Sequence, residues 1–175
     1  MISLIEIVRM IIVTIGIGYI FSGFMRFPSM SSYDSLKLSV YVAAPAVILH
    51  ELMHKFVAIF LGLNAEFFAS YLGLALGVFL KAIGSPFLIL VPGYVSIPFT
   101  NPLDSAIVAF AGPFTNLLLW GIAYLILKYH NRLSTKQMTI LALTKRINII
   151  LFFFNMIPFG PFDGAKVFSG IISLF

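Results

Sequence analysis

The chain has 175 residues, of which 61% are hydrophobic and 10% charged, with a mean hydropathy of +1.07 and a formal charge of +5. Soluble domains carry about 25% charged residues, so the composition excludes an ordinary water-soluble globule and makes lipid the expected solvent for most of the surface. The absence of cysteine excludes disulfides, thiolate metal ligands and a cysteine nucleophile; the basic residues, scattered near the ends of apolar runs, argue against nucleic acid as a partner.

The first apolar stretch covers residues 2–24 and is closed by Arg26, Pro28 and a serine-rich piece that reaches Ser35. Its length, the early Glu6 and Arg9, and the lack of an A-x-A site distinguish it from a cleaved signal peptide, so a retained membrane helix is expected. Glu6 is expected near the solvated end of that helix, and Asp34 in the polar loop after it. The second stretch covers residues 36–61 and stops at Gly62.

Residues 64–100 are punctuated by Gly73, Gly77, Gly84, Gly93, Pro86, Pro92 and Pro98, spacing that breaks a long helix. The runs Gly77-Val78-Phe79-Leu80 and Phe87-Leu88-Ile89-Leu90-Val91 predict short strands. Bare strand edges cannot face lipid, so this piece is expected at the interface or against the helices.

The third stretch covers residues 103–129, with Asp104 in its first turn or capping it after Asn101-Pro102, and His130 just beyond as an interfacial histidine. The fourth covers residues 137–157 and ends before Pro158; a short helix-like run begins at Ala165. Each of the four approaches or exceeds the roughly 20 residues that span a hydrocarbon core. The expected fold is therefore an all-α polytopic membrane protein. It has about four transmembrane helices, a short interfacial β segment and a short C-terminal helix. It forms one membrane-embedded unit over residues 1–175, with a core at 36–170.

Three ionisable residues, His50, Glu51 and His54, lie inside the second apolar stretch. A charge at mid-helix costs about 2.5–3.5 kcal/mol on insertion scales, so such residues have a partner or a task. His50 and His54, four apart, share a helical face and can reach one Zn²⁺. Glu51 can take a proton from a zinc-bound water while staying outside the ligand set. This is the H-E-x-x-H pattern of hydrolytic zinc sites. Catalytic zinc takes three protein ligands and keeps one open position. For the third ligand the strongest candidate is Asp163, at the end of Asn155-Met156-Ile157-Pro158-Phe159-Gly160-Pro161-Phe162-Asp163-Gly164. Asp163 also reads as an N-cap for the helix that follows. Asn155 reads either as an oxyanion donor or as an inter-helix hydrogen bond.

Together these motifs resemble the site-2 protease family, which pairs H-E-x-x-H with N-x-x-P-x-x-P-x-D-G near the end of a later helix. Asn155, Pro158, Pro161, Asp163 and Gly164 match every fixed position of the second motif, and Gly112-Pro113-Phe114-Thr115-Asn116 is similar to the family's G-P-x-x-N. The resemblance spans residues 47–164. It implies an intramembrane zinc metalloendopeptidase in which His50, His54 and Asp163 bind Zn²⁺, Glu51 is the general base and Asn155 aligns the substrate or steadies the oxyanion. Asn116 is expected to touch substrate or to glue helices by packing. The partner is expected to be a membrane protein whose transmembrane helix unwinds and pairs with the 64–100 segment. The protein itself is expected to be multi-pass in the cell membrane, with no inference about subunit number.

On helix rise, zinc lies nearer the face where the second stretch ends. The resemblance implies that this face is cytoplasmic, whereas the balance of Lys and Arg alone favours the other. No PDZ-like regulatory domain is expected beside the core, and the stretch after Asp163 is too short to span as a helix, which fits either a minimal member of the family or a sequence that ends early. Two rivals remain at this stage: a pseudoprotease that binds membrane helices without cutting them, and a metal transporter with mid-membrane His and Asp.

Overall fold

The computed structural model describes residues 2–28, 30–85, 92–98 and 100–175. In chain order the elements are α1 (Leu4–Ser22), α2 (Ser32–Phe60), β1 (Glu66–Ala69), α3 (Tyr71–Ala82), β2 (Gly93–Ser96), α4 (Pro102–Tyr129), α5 (Thr135–Asn155) and α6 (Asp163–Ile172). Among the described residues, α1, α2, α4 and α5 are long and apolar enough to cross a membrane. They fall on the four apolar stretches, and capping sets their ends. Ser3 and Glu6 form a capping box at α1, Asn101 caps α4 ahead of Pro102, and Ser134 with Gln137 caps α5. At the start of α2, Ser31 Oγ accepts from Asp34 N at 3.1 Å. Asp34 therefore belongs to the first turn of that helix and not to the expected loop.

The described residues separate into two compact units. The first comprises Met1–Ile48 and Phe67–Tyr94. Here α1 packs against α3, and Gly16 and Gly18 leave room for Leu74 and Val40. Glu6 is 2% exposed, not solvated as expected. Its Oε1 accepts from the Phe67 backbone N–H at 2.8 Å, and Arg9 donates to the Phe67 carbonyl at 2.8 Å while lying over the Phe68 ring. Two polar side chains of an apolar helix thus satisfy the backbone of a strand residue that lipid could not. Gly93 is required beside it, because a Cβ there would stand 2.8 Å from the Phe67 ring.

The expected strand at 77–80 is instead the middle of α3. Ser70 accepts from Gly73 N and starts the helix. Leu74 and Gly77 are buried at helical spacing, and Lys81 continues the face to reach the Tyr19 carbonyl and Ser22 Oγ on α1. The β segment is present, but as β1 paired with β2; the run 87–91 expected as a strand lies outside the described residues.

The second unit comprises Leu49–Glu66 and Val95–Phe175. At its centre α4 packs against both α5 and α6. The buried face of α4 is built from small residues, Ala106, Ala109, Ala111 and Gly112 among them, which lets membrane helices approach closely. Gly170 of α6 meets Ala106 and the Pro102 carbonyl, leaving no space for a side chain.

Candidate metal centre

Within the second unit, the C-terminal half of α2 carries His50 and His54 one turn apart. Both are buried, 6% exposed, and their Nε2 atoms lie 3.0 Å from each other. Asp163 arrives from the other end of the sequence. Helix α5 stops at Asn155, and Pro158 and Pro161 lack the N–H that continuation needs. Gly160 takes a φ of +73°, which glycine adopts without penalty. Gly164 admits the backbone of the preceding turn, since a Cβ there would stand 2.5 Å from the Met156 and Ile157 carbonyl oxygens. The chain so folded presents Asp163 Oδ2 at 3.1 Å from His50 Nε2 and 3.3 Å from His54 Nε2. The N-cap position of α6 belongs to Phe162, with no side-chain cap bond. The capping reading of Asp163 is thereby set aside in favour of the ligand cluster.

The other ring nitrogens are also engaged. His54 Nδ1 lies 2.7 Å from the Val108 carbonyl, and His50 Nδ1 lies 2.6 Å from Asn116 Oδ1. Both partners are acceptors, so both Nδ1 atoms carry the proton and both Nε2 atoms of the neutral rings offer a lone pair. Two lone pairs and a carboxylate oxygen, converging within 3.3 Å in a buried place, repel one another. A shared cation removes that repulsion. The spacings are close to the roughly 3.3 Å between ligands of a tetrahedral zinc with bonds near 2.0–2.1 Å. Gly112 completes the cradle: a Cβ on it would stand 2.6 Å from His50 Nε2 and closer still to His54 Nε2. The donor set and the space above it fit zinc.

His50, His54 and Asp163 are brought together as expected, and they form a possible metal-holding group among the described residues. Glu51 is outside that group but within electrostatic reach of His50, Asp163 and Lys166. Asn155 is half-buried, and its amide donates to the Leu151 carbonyl of its own helix at 3.0 Å. Asn116 is 0% exposed, with its oxygen on His50 and its nitrogen on Asn148 Oδ1 at 2.8 Å. The buried amide meets a ligand ring, not the open surface that the expected substrate contact needs. Asn148, not among the expected site residues, stands behind it. The signal was there: Asn148 is a polar residue inside an apolar span, the same anomaly that singled out His50 and Glu51.

The sequence profile of peptidase family M50 matches residues 39–138, which include His50, Glu51, His54, Gly112 and Asn116 and stop short of Asn155 and Asp163. A Methanocaldococcus jannaschii protein named "Putative zinc metalloprotease" is 35% identical over 165 residues, covering 93% of this chain and 82% of that protein. No solved structure matches the chain significantly.

Proposed function

The chain belongs to peptidase family M50, the site-2 protease family, and is a zinc metalloprotease of the membrane; from this premise we propose that it is an intramembrane endopeptidase, cutting the transmembrane segment of a membrane-protein substrate. The observation that carries the reading is where the cluster sits: two of its three ligands and Glu51 lie in the apolar helix α2, whose length suits a membrane span. A soluble peptide substrate gives no reason to bear the cost of ionisable residues there; a substrate helix in the same bilayer does.

In this reading His50 Nε2, His54 Nε2 and Asp163 Oδ2 hold the zinc. When bound, zinc polarises a scissile carbonyl and lowers the pKa of its water to about 7. Glu51, next to His50 on α2, takes a proton from the attacking water and returns it to the departing amine nitrogen. Asn155 supplies an oxyanion donor: an amide nitrogen has two N–H groups, and the bond to Leu151 uses one. The sheet of β1 and β2 holds the unwound substrate by main-chain pairing. The protein is multi-pass in the cell membrane, with the cluster toward the cytoplasmic face.

The test is reconstitution with single-span substrates in proteoliposomes, wild type beside Glu51→Gln. Cleavage within the spanning segment by wild type alone supports the reading. Cleavage confined to soluble loops, or equal turnover by both proteins, removes it.

A further inference from the structure

The geometry points to Asn148 as a positioning residue that sets the ring state of His50 from a distance and keeps its Nε2 bare for the metal, an inference that rests on the reading of His50 as a zinc ligand. Asn148 is the buried residue of α5, 0% exposed in a helix otherwise turned largely outward. A buried amide in an apolar span is costly unless hydrogen-bonded. Asn148 meets that demand in a way that carries directional information to the site.

The chain of bonds starts on a backbone carbonyl, which only accepts. Asn148 Nδ2 lies 2.8 Å from the Thr144 oxygen, so the amide nitrogen faces Thr144 and the amide oxygen faces away. That oxygen lies 2.8 Å from Asn116 Nδ2 and also only accepts, which turns the Asn116 nitrogen toward Asn148 and its oxygen toward His50. Asn116 Oδ1, 2.6 Å from His50 Nδ1, in turn requires the His50 proton on Nδ1. A neutral imidazole has one N–H, so Nε2 keeps its lone pair. Each step uses a group whose role the previous one has determined. Without Asn148, Asn116 loses the bond that orients its amide from this side. An amide turned over would offer N–H groups to His50 Nδ1 and put the ring proton on Nε2, facing Asp163.

His54 reaches the same ring state by another route. Its Nδ1 donates directly to the Val108 carbonyl, which is part of a helix backbone and cannot flip. His54 is therefore an internal control. A change at Asn148 acts on His50 alone, whereas general loosening of the helices acts on both rings.

The experiment uses the full chain in detergent, labelled with ¹⁵N at its three histidines, His50, His54 and His130, which single substitutions assign. Metal-stripped protein above the imidazole titration range reports each ring's tautomer by its nitrogen shifts. Zinc affinity is read in parallel by chelator competition. In wild type, His50 and His54 are both protonated on Nδ1. Asn148→Leu moves His50 toward the Nε2–H form, leaves His54 unchanged and weakens zinc binding about 10- to 100-fold, the usual range for a residue behind a ligand. Should Asn148→Leu fail to fold, Asn148→Ala carries the same expectation. An unmoved His50 in the Leu or Ala variant overturns the proposal, as does a joint change in His50 and His54. Wild type that binds no zinc removes the ligand role of His50, while the ring states report on Asn148 separately.

Discussion

Gly112 of α4 approaches His50 of α2 so closely that a Cβ on it would stand 2.6 Å from the His50 Nε2 atom. The glycine of the G-P-x-x-N motif thus shapes the metal centre by what it lacks. The His50 and His54 ligand atoms face α4, and only a residue without a side chain leaves the space that an ion needs.

Gly112→Ala is accordingly expected to separate metal binding from helix stability. Alanine is favoured over glycine inside a helix by up to about 1 kcal/mol, so α4 itself is not weakened. The new methyl group takes the space beside both Nε2 atoms. Metal content falls to a small fraction of wild type while the helical signal is kept, and the melting point of the metal-free protein drops only by what overpacking of the two rings costs, about 1–3 kcal/mol. Elemental analysis alongside thermal circular dichroism checks this; normal zinc in the variant refutes the cradle.

Glu51→Gln keeps the shape of residue 51 and removes its ability to take a proton. Zinc content is expected to be unchanged, because His50, His54 and Asp163 make up the ligand cluster. Turnover falls at least about 100-fold, the lower end of what a general base contributes. Single-turnover cleavage of a transmembrane substrate, with metal content measured on the same preparation, is the check.

Glu6→Ala probes the first unit and not the chemistry. The Phe67 N–H that Glu6 holds at 2.8 Å is buried and loses this partner. Leaving a buried donor unsatisfied costs about 1–3 kcal/mol. The variant is expected to unfold at lower temperature or denaturant while retaining full zinc, a combination that no change at the metal centre produces.

Much of this fold was legible in the sequence because each span is a nearly continuous apolar run, and lipid permits few alternatives. The metal cluster was legible for a related reason: His50 and His54 at helical spacing, and Asp163 beside a break, are conspicuous where every neighbour is apolar. Glu6 was not legible, because its partner Phe67 lies 61 positions away and nothing local marks the pairing. The 77–80 run misled because a short apolar stretch with glycine fits strand and helix equally. Ser70, capping the start of α3, and the contact of Lys81 with α1 decide between them. For Asn116 the residue was conspicuous, but its burial behind His50 depends on how α4 meets α2, which spacing alone does not reveal.

Gly164→Ala tests whether the D-G pair works as a unit. The added carbon would overlap the Met156 and Ile157 carbonyl oxygens, so the start of α6 has to shift. Overpacking of this kind costs about 1–3 kcal/mol, and it carries Asp163 away from the histidines. Zinc affinity is expected to fall at least about tenfold although all three ligands remain, as chelator competition will show. Unchanged affinity would mean that the turn has slack the geometry does not suggest.

The measurement that bears most directly on the account is the zinc content of the purified chain in detergent, wild type and Asp163→Ala together. The structure predicts one zinc per chain in wild type, and loss or marked weakening in the variant, because Asp163 is the third ligand. A folded wild type without zinc, or a variant that binds it as tightly as wild type, would contradict the three-ligand centre on which the intramembrane protease reading stands.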